Sequence, residues 1–247
     1  MTYCVGMLLE EGLVMMADTR TNAGIDSIST YRKLHLFDGP GYNLVIASAG
    51  SLSTTQAALG HLREGVANPE TGAVEKLADV STTFRAVTLI GQALHKAKQE
   101  VDIMTAGDKI NVEATFLVGG RVGNEPLRLF LVYSAGNFIE GGSEMPYMQI
   151  GEKKYGKPII DRSLKRDTHL HDAIKIGLIS FDSTMRSNLA VGLPIDLMVL
   201  RRDYLVAETR KRIDQDDPYF HDLGQRWSSA LRDAHMAIPA PPYRPVN

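Results

Sequence analysis

A single cysteine, Cys4, leaves the chain without an internal disulfide, so a reducing, cytoplasmic location is expected. Charge of one sign is lacking as well. The 27 basic residues against 29 acidic ones leave a net charge of −2, which excludes the basic footprint of a nucleic-acid binder and a polybasic membrane anchor. No apolar run approaches the roughly 20 residues that cross a bilayer, so no membrane partner is expected. The opening MTYCVGMLLEEG has no basic leader region and no small-residue cleavage site. No signal peptide is therefore expected, and Thr2 stands one bond from the chain start. No internal repeat and no low-complexity segment is present. Gly119-Gly120 and Gly141-Gly142 read as turns, and neither opens a helix as a phosphate loop does. What remains is ordinary globular composition, 44% hydrophobic and 23% charged, over 247 residues, enough for one large domain or two small ones.

The apolar patterning changes along the chain in blocks. Tyr3 to Leu9 and Leu13 to Ala17 are apolar runs joined by Glu10-Glu11-Gly12, the pattern of a hairpin. Ile28 to Phe37 alternates as a third strand, and Asn43 to Ala49 reads as a strand buried on both faces. Ser53 to Val66 is a helix capped by Ser53, with Ala58, Leu59 and Leu62 on one side. Ser81 to Ile103 is a longer helix with Phe84, Val87, Leu94 and Val101 near helical spacing, and residues 67–80 link the two. Strands return at Ala114 to Val118 and Leu127 to Tyr133, with Gly119, Gly120 and Gly123 to Pro126 turning between them. Met148 to Gly151 is a short strand, His171 to Asn188 a helix, and Ile195 to Leu200 with Leu205 to Ile213 a strand pair. Helices gathered in blocks between strands indicate an α+β layered fold, two sheets between helical layers, and not a βαβ series. After residue 213 the character shifts. Asp214 to Asp217 is acidic, Asp222 to Met236 is helical, and AIPAPPYRPVN is too rich in proline for a helix. The division expected is 1–213 as the main domain and 214–247 as an extension, an arm on a neighbouring subunit or a mobile terminus.

One constellation carries chemistry. A hairpin turning at Glu10 to Gly12 brings Thr2 within a residue or two of Asp18, which closes the buried run GLVMMAD. A free α-amine has a pKa of about 8, so much of it is neutral near pH 7 and can deprotonate the hydroxyl of its own threonine. A lysine nearby lowers the amine's pKa, and an aspartate orients the lysine; Lys33, in the sequence YRK on the third strand, supplies it. The arrangement requires removal of Met1, which the small side chain of Thr2 permits; with Met1 retained the amine is acylated and the mechanism fails. Other residues take plainer readings. Cys4 is a small buried side chain, Arg201-Arg202 a solvated strand end, and the pair His169 and His171 a surface turn without acidic or cysteine partners at metal-ligand spacing.

The segments TYCVG, GLVMMADTRTNAG, ISTYRKLHLF and LVIASAGS resemble the proteasome β-subunit and HslV family of N-terminal nucleophile hydrolases. More narrowly, DTRTNAGIDSISTYRKL and MRSNLAVGLPIDL resemble the Anbu family, the bacterial ancestral β-subunit relatives, over residues 2 to 205. The resemblance implies a four-layer αββα sandwich. It implies Thr2 as nucleophile, Asp18 as orienting acid and Lys33 as basic partner. Ser48, Ala49, Gly50 and Ser51 match the stretch whose backbone, at Gly50, stabilises an oxyanion. Thr19, Thr21 and Asn22 match the segment that lines the cleft and pairs with a peptide. Two departures stand out. Gly151-Glu152-Lys153 holds Glu152 where many members have a serine, and the later Asp-x-x-Ser element aligns poorly, leaving Ser187, with Asn188 beside it and Asp182 upstream.

The function expected on this resemblance is a self-assembling threonine peptidase or amidohydrolase, working through an acyl-enzyme ester without metal or organic cofactor. Its partners would be a peptide or amide substrate and further copies of itself in an open helical or ring-like assembly. An ATP-dependent unfoldase is a partner the family admits and the sequence does not itself show. Two alternatives stand beside it. One is an assembling scaffold subunit with weak or no turnover, which Glu152 favours and the retained Thr2, Asp18 and Lys33 oppose. The other is a small-molecule amidase with the same nucleophile.

Overall fold

Apolar runs without polar alternation demand cover on both sides, and the fold meets that demand by stacking two sheets between two helical layers. The computed structural model describes residues 1–22, 28–68, 71–106, 108, 110–142, 144–204 and 207–243, the side chains of Asn22 and Ile28 excepted. Strands β1 (Tyr3–Leu8) and β2 (Gly12–Asp18) form the expected hairpin, with Cys4 opposite Ala17 and Leu8 opposite Leu13. A small ribbon follows, β3 (Arg20–Asn22) with β4 (Ile28–Thr30), and then a second hairpin, β5 (Leu34–Gly39) with β6 (Tyr42–Gly50). Helices α1 (Leu52–Glu64) and α2 (Thr83–Met104) come next, with the short pair β7 (Val66–Ala67) and β8 (Val74–Glu75) between them. Strands β9 (Ala114–Val122), β10 (Arg128–Tyr133) and β11 (Phe138–Glu140) make a meander. Strand β12 (Tyr147–Gly151), helices α3 (Lys157–Ser163) and α4 (Leu170–Ser187), strands β13 (Ile195–Arg201) and β14 (Ala207–Ile213), and helix α5 (Pro218–Ala237) complete the chain.

One sheet has the order β12-β1-β2-β13-β14 and the other β11-β10-β9-β6-β5, antiparallel throughout. The two-residue period of a strand assigns each side chain to a layer. Along β2, Val14 and Met16 join Tyr3, Val5, Phe181 and Phe220 beneath α3, α4 and α5, whereas Leu13, Met15 and Ala17 join Val45, Ala47 and Leu117 between the sheets. On the far side, Leu44 and Ile46 of β6 pack with Leu59, Ile90 and Leu94 under α1 and α2. Each fully buried Leu, Ile or Met contributes about 1.5–3 kcal/mol. The result is the αββα sandwich of the N-terminal nucleophile hydrolase type.

Several local expectations are corrected. The run Ile28 to Phe37 is two strands, β4 and β5, and Lys33 stands in the link just before β5. Gly119 and Gly120 lie inside β9, not in a turn; Gly119 faces Leu13 across the sheets, where a Cβ would come within 2.5 Å of its Cδ2. Helix α1 is capped by Ser51 instead of Ser53: the Ser51 N–H is anchored on the Glu113 carbonyl at 2.9 Å, and its hydroxyl accepts from the Thr54 amide at 3.3 Å. Phe84 of α2 is exposed, packing only edge-on against Phe138 of β11. Strand β11 and helix α3 have no counterpart in the sequence reading. Helix α5 starts at Pro218, capped by Asp217, four residues before the start read from the sequence. Leu205 and Val206 of the last expected strand lie outside the described residues.

Candidate functional site

The β1–β2 hairpin places the start of the chain against Asp18. The Tyr3 amide donates to Asp18 Oδ1 at 3.0 Å, which fixes the backbone immediately after Thr2. Lys33 Nζ donates to the same oxygen at 2.9 Å and to the Arg20 carbonyl at 2.5 Å, and the Gly192 amide donates to Asp18 Oδ2 at 3.4 Å. Asp18 is wholly buried and Lys33 nearly so. Burial pushes the Asp18 carboxyl above its usual range; the Lys33 ammonium and the Tyr3 and Gly192 amides oppose that rise.

Thr2 is buried at 9% exposure, while Met1 before it is 66% exposed. The Thr2 carbonyl accepts the Glu152 amide at 2.6 Å. This approach requires glycine at position 151, which has φ +81°; a Cβ there would lie 1.9 Å from the Thr2 oxygen. Glu152 is itself buried, its carboxylate accepting from Asn188 Nδ2 at 3.0 Å and from the Lys154 amide at 3.3 Å. Position 152 thus holds a carboxylate secured by its own partners beside the Thr2 main chain.

A cavity of about 600 Å3 opens at this end of the sandwich, lined by Thr2, Thr21, Lys33, Ser48, Ala49 and Gly50 among others. Six of the residues singled out from the sequence therefore share one concavity. Five others are placed differently. Asp18 sits beneath Lys33, not on the lining. Thr19 is fully buried, its hydroxyl donating to the Pro194 carbonyl at 2.8 Å. Asn22 ends β3. Ser51 is spent on capping α1. Ser187 is exposed in the last turn of α4, and it is the adjacent Asn188 that reaches Glu152. Gly50 has φ +106° and passes so close to the next strand that a Cβ would lie 2.3 Å from the Glu113 carbonyl oxygen.

Three groups of the cluster, the Tyr3 and Gly192 amides and the Arg20 carbonyl, are main-chain and carry no side-chain signal; only the glycine at 192 hints at a close approach. Cys4 is buried behind the cluster and donates to the Ser48 carbonyl at 3.7 Å, and burial pushes its thiol up, away from thiolate chemistry. His169 pairs with Glu11 at the start of α4. Among the described residues, no three or more His, Cys, Asp or Glu side chains gather as a metal-holding group, and no helix is long and apolar enough to cross a membrane.

A double antiparallel sandwich with a threonine, a buried Asp–Lys pair and a glycine-edged cavity at one end defines the proteasome β-subunit-like class of the N-terminal nucleophile hydrolase fold. Solved structures narrow that class. Anbu (ancestral beta-subunit) from Yersinia bercovieri is 44% identical with a TM-score of 0.86, over 97% of this chain and 98% of that one. Anbu from Hyphomicrobium sp. strain MC1 is 42% identical with a TM-score of 0.86, over 98% and 100%. The Anbu complex from Pseudomonas aeruginosa, solved as a helical assembly, is 40% identical with a TM-score of 0.87, over 97% and 98%. No protein-family model and no curated protein matches the chain. The chain belongs to the Anbu family.

That membership corrects the expected function. It argues against an active N-terminal threonine peptidase and favours the alternative of an assembling scaffold subunit with weak or no turnover; the designations protease and threonine protease fall with it. The described hydrogen bonds of Lys33 Nζ run to Asp18 Oδ1 and the Arg20 carbonyl, and Lys33 lines the cavity together with Thr2.

Proposed function

We propose that this chain is an assembling subunit that keeps the cleft of its fold as a binding site and does not hydrolyse what it binds. The observation that carries the reading is the 40–44% identity, over nearly the whole of both chains, to Anbu structures, one of them a helical assembly. Around the cleft, the Thr2 carbonyl is held by the Glu152 amide, and Lys33 by Asp18 and the Arg20 carbonyl. In this reading Thr2, Thr21, Ser48, Ala49 and Gly50 line the cleft, Asp18 and Lys33 brace it, and Thr19, Asn22, Ser51 and Ser187 shape the elements around it. A peptide segment is the ligand, laid along β3 beside Thr21, and turnover is absent.

Association with further copies of the same chain follows from the helical assembly of the Pseudomonas aeruginosa relative. Residues 1–213 form the β-subunit-like unit and 214–247 the extension, whose helix α5 carries exposed Tyr219, Leu231 and Met236 toward a neighbour. A cytoplasmic location rests on the lone cysteine. The reading needs no ATP-dependent unfoldase. Mass photometry of the purified full chain, with mass-spectrometric readout of a peptide library incubated with it, tests the reading. Large assemblies and an intact library are expected. Cleavage that disappears in Thr2→Ala would restore the peptidase, and a monomer at every concentration would remove the scaffold.

A further inference from the structure

The two edge strands β5 and β14, one from each sheet, leave a groove between them with a volume of about 420 Å3. Its lining carries five cationic side chains, Arg32, Arg63, Arg210, Lys211 and Arg212, against one carboxylate, Asp196. The excess is surprising in a chain whose total charge is −2. Part of it is neutralised. Arg212 grips Asp196 through two bonds of 2.8 and 2.9 Å, and Arg210 reaches across to Asp38 of β5 at 2.8 Å.

Arg32 and Arg63 are different. Arg32 approaches Asp196 only at 3.8 Å, an oxygen already taken by Arg212, and its side chain is 62% exposed. Arg63, at the last turn of α1, makes no ion pair among the described residues and lies over the Phe37 ring at 5.7 Å. Between them stands His35, half-buried, whose imidazole is driven down to about 4 by burial first and by Arg63 and Arg32 next, so the groove is felt as positive by its own histidine.

The groove is also continuous with the cleft. A cavity of about 380 Å3 lies between them: it shares Arg32, His35 and Arg63 with the groove, and Ser48, Leu52 and Thr55 with the Thr2 cavity. An extended chain entering beside Thr21 can therefore run past Ser48 and set its next side chains between two guanidinium groups. Guanidinium groups with unspent donors pair bidentately with carboxylates, and a partly walled groove screens such pairs less than open solvent does.

We infer that Arg32 and Arg63 form a subsite that selects acidic side chains on a peptide held in the cleft, so that the ligand is an Asp- or Glu-bearing segment. The inference rests on the cleft being a peptide-binding site. It adds the identity of the residues that choose the peptide.

Fluorescence anisotropy on the assembled full chain tests it, with a short labelled peptide carrying Asp and Glu and its Asn/Gln counterpart. The acidic peptide is expected to bind at least about tenfold more tightly, with the preference shrinking as salt shortens the screening length. The double variant R32Q/R63Q is expected to bind both peptides alike, whereas Arg63→Lys, which keeps the charge, retains part of the preference. Arg162→Gln, exposed on α3 and outside the lining of all three cavities, is the control and changes nothing. Should the double variant fail to assemble, each single glutamine variant is expected to lower the preference by about threefold. Equal binding of the two peptides by the unmodified chain, or an undiminished preference in the folded double variant, overturns the inference and leaves the scaffold reading intact. Inorganic polyphosphate that binds where the acidic peptide does not also overturns it. Mass spectrometry of the same samples separates the two readings: a cleaved peptide sinks the scaffold reading and leaves the charge preference standing.

Discussion

The amide of Glu152 meets the carbonyl oxygen of Thr2 at 2.6 Å, so the two residues touch through main chain. The Glu152 carboxylate is turned instead to Asn188. The contact ties β12 to the chain start, and it exists only because Gly151 has no side chain.

Replacing Gly151 with alanine is therefore expected to be among the most damaging single changes in the molecule. The new Cβ would fall 1.9 Å from the Thr2 oxygen at φ +81°. The left-handed backbone alone costs about 1 kcal/mol, and the clash brings the loss to more than about 2 kcal/mol. Urea denaturation reads this out; a loss of only a few tenths would show that the Thr2–Glu152 contact does not constrain the chain start.

The Asp18–Lys33 pair gives a double-mutant cycle. Asp18→Asn or Lys33→Met alone leaves one buried charge without its partner, an expected loss of about 3–5 kcal/mol. Combined, D18N/K33M removes both charges, and its cost is expected to be less than the sum of the two. Additive losses would mean that the two side chains are not coupled in solution.

Tyr3→Phe removes a hydroxyl that lies 3.0 Å from Ser180 Oγ and accepts from Gln149 Nε2 at 2.6 Å. The aromatic contact with Phe181, centroids 4.5 Å apart, survives the change. The two stranded polar groups are expected to cost about 1–2 kcal/mol, seen as a lower denaturation midpoint with an unchanged slope. No change in midpoint would place water in that network.

Acid lability is expected from His35. Its imidazole is held down to about 4 in the fold by burial, Arg63 and Arg32, with Asp196 opposing. The unfolded chain binds the proton first, near pH 6.5, so stability is full above that pH and falls as pH drops toward 4, by up to about 3 kcal/mol. His35→Gln is expected to flatten the pH 4–6.5 limb of the stability curve. An unaltered limb in that variant would assign the lability elsewhere.

Much of the layer order was readable before the tertiary structure because it depends on local pattern. The runs of β1, β2 and β6 lack polar alternation, so they had to be covered on both faces, and the helical spacing of α1, α2 and α4 supplied the cover. The Thr2–Asp18 proximity followed from the register of one hairpin. Elements that need a partner to be recognised were missed: β11 has three residues and α3 seven, too few for a period to show. Gly119 and Gly120 look like a turn by composition and are strand because both pair with β6 and β10, while Leu13 of the opposite sheet fills the space that a side chain at 119 would take.

What the sequence determined by itself was the αββα class, the family resemblance and the presence of Thr2, Asp18 and Lys33 near one another. What only the tertiary structure decided was how those groups are occupied. Lys33 is tied to Asp18 and the Arg20 carbonyl, Thr2 to the Glu152 amide, and Arg32 and Arg63, 31 positions apart in the chain, face one groove. Hydrogen-bond partners that are main-chain atoms carry no residue identity, and a groove between the edges of two sheets joins segments with no local relation. The physical distinction is between periodicity, which is written along the chain, and occupancy, which exists only once distant backbone has been brought within three ångströms.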